Sequence, residues 1–387
     1  MDQQKNFEFV NALWEDSVLS SLAEYVEIPC KSPMFDPDWA QHGYMEDAVE
    51  HVISWVREQD VAGLDIEVHR LPEKTPTILL TYPGDTKENV LIYGHLDKQP
   101  EFSGWEEGLA PFKAVFRDDK LYGRGGGDDG YAIYSAVTAI KSLIEQEIPL
   151  PRIVILIEAS EESGSPDLLA YMDHLEDIIG EPGLVIALDS TCGNYDQLWV
   201  NTSLRGMIIA DLTVRVLTEG IHSGMAGGMV PSSFRLLRQL ISRLEDETTG
   251  EILPDFLNDQ VPQFRWDEAM AAGQVLGDSL KEMFPLTETG RLMSDDPTEL
   301  ILANTWAASL AVTGLAGAPA PEEAGNVLRP ETTARLALRL PPTINEETAA
   351  RKLTELLSET APSFGRQVGR ATRRVFATRS ERGSRRP

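Results

Sequence analysis

Three short apolar runs each lead, within a few residues, to side chains that can bind a cation or move a proton. Val90–Tyr93 leads to His95, Arg152–Ile157 to Glu161 and Glu162, and Leu184–Leu188 to Asp189. Runs of this length bounded by Gly, Pro or Asp read as buried strands, as does Thr77–Tyr82. Between two of them, Tyr131–Gln146 reads as a helix that begins after Gly130, directly behind a further acid, Asp128. Strands alternating with helices predict an α/β sheet covered on both faces. Such a sheet collects the residues at the carboxyl ends of its strands in one crevice, which here holds five acidic or imidazole groups.

The 387 residues are too many for one compact core and suit two domains. The N-terminus is acidic and amphipathic, with no basic leader and no apolar run of signal-peptide length. No stretch approaches the ~20 apolar residues of a membrane span, so a cytoplasmic protein is expected. Cys30 and Cys192 lie far apart without zinc-ribbon spacing and are expected to be buried free thiols. A formal charge of −28 opposes binding to nucleic acid or anionic lipid and favours attraction of cations.

Amphipathic helices are expected over Phe7–Val26 and Tyr44–Glu58. Near Thr202 the pattern changes. Met207–Val216 alternates as a half-solvated strand and Ser232–Leu244 reads as a helix. Strands follow at Trp306–Val312 and Thr333–Leu340, then a helix at Glu346–Ser358. This β-α-β-β-α order is similar to a ferredoxin-like domain lacking its sixth element. Glu251–Asp296 reads as an irregular, polar-aromatic insertion. From Arg366 to Pro387 there are eight arginines and one acid, a change of composition. A nucleic-acid-binding or targeting tail is one reading of it; a disordered tail, the product of a changed reading frame, is preferred. The expected division is a catalytic domain over 1–201, a lid and dimerisation domain over 202–365, and a basic tail over 366–387.

Within VLIYGHLD, His95 and Asp97 lie two apart on a strand and share a face, a ligand beside its orienting carboxylate. Taken alone, a histidine after glycine is more often a loop residue. In LYGRGGGDDG, three glycines turn the chain before Asp128, whose two oxygens suit it to bridge two cations. Glycine-rich turns also cradle phosphates, but no Lys-Ser/Thr follows and two aspartates would repel an anion. In IVILIEASEESGS the adjacent acids diverge, which lets Glu162 serve as a ligand and Glu161 as general base. An exposed Glu-Glu pair is ordinarily a solvated feature; a buried strand leading into it argues otherwise. Asp189 adds another acid at a strand end, and crowded carboxylates without cations would repel one another.

GHLD, GRGGGDDG, EASEESGS and ALDS, in this order and followed by GIHSG, resemble the M20 metallopeptidases over roughly Phe7–Gly365. That group includes carnosine dipeptidases, glutamate carboxypeptidases and N-acyl amino-acid deacylases, with the carnosinase type most similar. The resemblance implies a mixed-sheet zinc-peptidase catalytic domain with an inserted ferredoxin-like lid. It implies two Zn2+ ions, or Mn2+ or Co2+, per site: His95 and Asp189 on the first, Asp128 bridging, Glu162 on the second. It further implies Glu161 as base, Asp97 orienting His95, and a cis peptide between Asp128 and Asp129. His222 would approach the scissile carbonyl oxygen and Arg339 would bind a substrate carboxylate. The expected reaction is hydrolysis of dipeptides or short peptides by a homodimer joined through the lid, with N-acyl amino-acid hydrolysis as the alternative. Relatives of this kind continue into further strands and a histidine that completes the second metal, whereas no histidine follows His222 here. A C-terminally truncated or frame-shifted, inactive product is therefore the competing expectation.

Overall fold

The computed structural model describes residues 1–190 and 192–359, in two units, Met1–Thr191 and Cys192–Pro387. The arginine-rich segment at 366–387 lies outside the described residues. In the first unit, β1 (Asp65–His69), β2 (Thr77–Tyr82) and β3 (Asn89–His95) come first. A separate hairpin, β4 (Val115–Arg117) and β5 (Lys120–Tyr122), precedes β6 (Arg152–Glu158) and β7 (Leu184–Ala187). The main sheet runs β1-β2-β6-β3-β7. Its first three strands are antiparallel neighbours, while β3 is parallel to both β6 and β7.

Two-residue alternation along the central strands divides their side chains between two cores. Ile78, Leu80, Ile92, Ile153, Ile155 and Ile157 pack on one face against helices carrying Leu22, Val49, Val52, Ile133 and Val137. Leu79, Leu91, Val154 and Leu156 face the other way, against Tyr171, Leu175 and Ile179. Each fully buried aliphatic side chain contributes roughly 1.5–3 kcal/mol. The parallel trio matters most for the chemistry. It aligns the carboxyl ends of β3, β6 and β7 along one edge of the sheet.

The second unit contains β8 (Gly206–Arg215), β9 (Ile221–His222), β10 (Ser309–Ala316), β11 (Val327–Leu328) and β12 (Glu331–Leu340). Among the described residues it has an antiparallel three-stranded sheet, β10-β12-β8, and a short β9-β11 pair. Ile208, Leu212 and Val214 on β8 and Ala334, Leu336, Leu338 and Leu340 on β12 point to one face. There they meet Leu236, Leu237 and Leu240 of the helix Ser233–Ile241 and Leu353 and Leu357 of the helix Glu346–Glu359. The hydroxyl of Ser232 caps the first of these helices by accepting from the Arg235 N–H.

Several expectations need correction. The strand ending near Asp189 is not buried: Leu184, Val185 and Ile186 are 54%, 51% and 38% exposed. As β7 it stands at the edge of the sheet, paired on one side by β3. Cys192, in the irregular segment after β7, is exposed; Cys30 is buried as expected. The segment read as an irregular insertion contains the helix Gln263–Leu276, which buries little besides Ala269 and Gly273 and so shows no apolar stripe. Trp306 ends the helix Pro297–Thr305, and the strand expected from that residue begins instead at Ser309. The first helix is broken by a π-helical turn at Trp14–Val18. Strands β1, β4 and β5 were not legible in the sequence.

Gly94, next to the end of β3, has no room for a side chain. A Cβ there would lie 2.5 Å from the Ala132 Cβ and 2.6 Å from the Asp129 carboxylate. Gly94→Ala is expected to cost roughly 1–3 kcal/mol, the usual penalty of overpacking. Denaturant unfolding measures it, and an unchanged midpoint would show that the packing is looser than described.

Candidate metal centre

His95 ends β3 and is fully buried. Its backbone N–H donates to Asp129 Oδ2 at 3.2 Å. Its Nδ1 lies 3.0 Å from the backbone carbonyl oxygen of Asp97, which places a ring proton on Nδ1 and makes Nε2 the nitrogen that a cation could take. Nε2 is buried and makes no hydrogen bond. Around it stand Asp128 Oδ1 at 3.2 Å, Asp189 Oδ2 at 3.8 Å and Glu161 Oε2 at 4.0 Å, all within ion-pair distance but none with the alignment of a hydrogen bond. One donor atom from each of His95, Asp128 and Asp189 lies within 4.8 Å of the others.

The local backbone explains this convergence. Gly125 turns the chain with φ of 87°, and a tight turn over Gly126–Gly130, with a cis Asp128–Asp129 peptide, leads into the helix Tyr131–Glu145. Asp129 turns inward and is buried, while Asp128 remains exposed. Beyond β6, Glu161 and Glu162 begin a 3-10 turn. The Asp97 carboxylate accepts both their backbone N–H groups, at 3.0 and 2.9 Å, and its Oδ1 lies 3.5 Å from His95 Nδ1. Asp97 thus ties the β6 turn to the end of β3, a link that the strand period did not reveal.

Sequence reasoning missed four further residues. The Gln99 side-chain amide donates to Glu162 Oε2, while Glu162 Oε1 is buried without a partner. The Lys98 ammonium is buried against the carbonyl oxygens of Tyr25, Val26 and Ile28 at 2.7, 3.2 and 2.7 Å. Glu158, at the end of β6, accepts from Tyr93 at 2.6 Å, Ser160 at 3.0 Å and Ser165 at 2.8 Å. Asp129, read only as a neighbour of Asp128, holds the His95 backbone. Gln99 lies two residues beyond Asp97, the one spacing that hinted at a shared side.

The electrostatics of the cluster follow from its crowding. Burial opposes protonation of His95, but Asp128, Asp97 and Asp129 outweigh it and push the imidazole up to about 12. Burial raises Glu161 and Glu162 to about 7, helped by neighbouring acids, and raises Asp129 to about 8. Burial also raises Asp189, whereas the His95 contact holds Asp128 below the ordinary carboxylate range. Without a cation, the cluster relieves its repulsion by retaining protons. A divalent cation supplies the same relief, and imidazole with carboxylates is a donor set that suits zinc or manganese. The unpartnered Nε2 of His95 and Oε1 of Glu162 fit such an ion.

His222 and Arg339 belong to the second unit. His222 is exposed at the end of β9 and its Nδ1 accepts from the Gly224 N–H at 3.1 Å. Arg339 is exposed on β12, opposite Met207 and Ser309.

Residues 91–378 match the model of peptidase family M20/M25/M40. The chain belongs to this family. Among curated M20 relatives, the human Beta-Ala-His dipeptidase is 25% identical over 373 residues, covering 92% of this chain and 71% of that protein. The Cys-Gly metallodipeptidase of Saccharomyces cerevisiae is 26% identical over 322 residues, covering 78% of this chain and 63% of that protein. Among solved structures, a Saccharomyces cerevisiae dipeptidase superposes with a TM-score of 0.69 at 22% identity, covering 94% of this chain and 77% of that one. An M20 metallo-carboxypeptidase from Sulfolobus solfataricus gives 0.70 at 20% identity, covering 88% and 75%. These neighbours share the M20 fold. Among the described residues no helix is long and apolar enough to cross a membrane.

The raised groups have a measurable consequence. Glu161 and Glu162 at about 7 and Asp129 at about 8 bind more protons folded than unfolded. Their ionisation on raising the pH therefore lowers stability, as does loss of the proton from a raised His95. The melting temperature of chelator-treated protein is expected to fall between roughly pH 5.5 and 8.5, with a smaller fall in Glu161→Gln. Zinc should restore most at the alkaline end. A metal-free melting temperature that rises across this window would contradict the protonation account.

Proposed function

We propose that this chain is a two-zinc dipeptidase, or uses Mn2+ or Co2+ in place of zinc. The observation that carries the reading is His95 Nε2, buried, free of any hydrogen bond and faced by three carboxylates. His95 and Asp189 would hold one ion, Glu162 the other, and Asp128 would serve both. When bound, the ions supply Lewis acidity, polarising the peptide carbonyl and lowering the pKa of water.

The remaining chemistry belongs to the protein. Glu161, beside the cluster and raised by burial to about 7, is suited to take a proton from the attacking water and return it to the departing amine. Asp97 fixes both the His95 side of the site and the turn that carries Glu161. In the same reading, His222 donates to the developing oxyanion and Arg339 binds the substrate carboxylate through a two-pronged contact. In this reading the segment 202–365 serves as lid and dimerisation domain and 1–201 as catalytic domain. The relatives named for dipeptides favour short peptides over N-acyl amino acids as substrates.

A second reading is supported by the donor count. Among the described residues, His95 is the one imidazole in the cluster. The second ion is left with Glu162 and the shared Asp128, fewer than the three protein ligands usual for zinc. On this reading the chain folds but turns over poorly.

Glu161→Gln is expected to lower turnover of dipeptides about 10²–10⁴-fold while the metal content of the purified protein is unchanged. Unchanged turnover would remove Glu161 as the base. Assays with β-alanyl-histidine, Cys-Gly and N-acetyl amino acids separate dipeptidase from amidohydrolase. Absence of turnover on all three, with zinc bound, would favour the second reading.

A further inference from the structure

Glu162 has two carboxylate oxygens in different circumstances. Oε2 accepts from the Gln99 amide, whereas Oε1 is buried and accepts from nothing. An ionised carboxylate accepts only, so the nitrogen end of the Gln99 amide must face it. Gln99 therefore occupies one oxygen and turns the other toward the cluster.

The donor rests on a rigid base. Lys98, the preceding residue, is fully buried, and its ammonium reaches three carbonyl oxygens at the end of the helix Leu19–Glu27 and just beyond it, within 4.0 Å of the Tyr25 ring centroid. Its backbone N–H donates to the Cys30 carbonyl at 3.0 Å, and its own carbonyl accepts from the Ser32 N–H at 3.0 Å. Asp97, on the other side, accepts the Glu161 and Glu162 backbone N–H groups. The tripeptide Asp97-Lys98-Gln99 is thus fixed at its middle. From that point it reaches the Glu162 backbone through Asp97 and the Glu162 side chain through Gln99.

We propose that Gln99 is a positioning residue for the second cation site: it engages Glu162 Oε2 and presents Oε1 as the ligand atom. This rests on the two-metal reading above, and it assigns Gln99 an effect on one of the two sites alone. The Gln99 amide donates to Glu162 and not to His95, Asp189 or Asp128, so the first site keeps its donors when the amide is lost. Among the described residues the second site has Glu162 and a shared Asp128, so it depends strongly on the aim of Glu162. Loss of an outer hydrogen-bonding partner ordinarily weakens metal binding about 10–100-fold.

The test is calorimetric titration of Zn2+ alone into the metal-depleted full chain, comparing wild type with Gln99→Met and Gln99→Ser. The first variant keeps volume without the donor, and the second is a smaller polar side chain that also withdraws the amide and serves if the first does not fold. Wild type is expected to show two binding events. In both variants the weaker affinity should fall about 10–100-fold while the stronger changes less than about 2-fold, with the metal-free melting temperature held. Equal losses at both sites, or no loss at either, would overturn the assignment of Gln99. A single event in wild type also overturns it, and no zinc uptake at all overturns the metallopeptidase reading beneath it.

Discussion

Everything in the first unit that concerns chemistry depends on the repulsion among carboxylates gathered around His95 Nε2. Asp128, Glu161 and Asp189 approach this atom within 3.2–4.0 Å, and Asp129 is buried beside the same residue. In a partly desolvated setting such a group cannot carry its full negative charge without compensation. The raised imidazole and the raised Glu161, Glu162, Asp129 and Asp189 are two expressions of one deficit. A doubly charged cation answers both, and a relative of this chain is named as a metallodipeptidase.

The sheet creates the crowding. Three parallel strands end together, so His95, the turn carrying Glu161 and Glu162, and Asp189 meet at one edge. The glycine turn supplies Asp128 from the beginning of the helix that crosses from β3 toward β6. Hydrogen bonds then fix what topology brings near. Asp97 fastens the β6 turn, Asp129 fastens the His95 backbone, and the Glu158 carboxyl ties Tyr93 of β3 to Ser160 and Ser165. Two apolar cores, one on each face, hold these strands against the electrostatic strain at their ends.

Much of this was legible in the sequence. His95, Glu161, Glu162 and Asp189 each follow an apolar run, and chain direction in an α/β sheet decides that such positions converge. The order β-α-β-β-α in the second unit was equally readable, because β8 and β12 alternate cleanly between buried and open positions. Hydrogen-bond partners were not. Nothing in the spacing of Gln99 or Glu158 says which donor or acceptor each will find. Apolar composition also misled at β7, where edge position and not sequence decides exposure. The helix Gln263–Leu276 stayed hidden for the converse reason, since it buries too little to need a periodic apolar face.

The most direct measurement is anomalous scattering at the zinc edge from crystals grown with zinc. The account predicts a strong peak within coordination distance, roughly 2.0–2.2 Å, of His95 Nε2, Asp128 and Asp189, and a second peak shared by Asp128 and Glu162. A map with no peak at His95, or with zinc bound only to carboxylates elsewhere on this acidic surface, would contradict it.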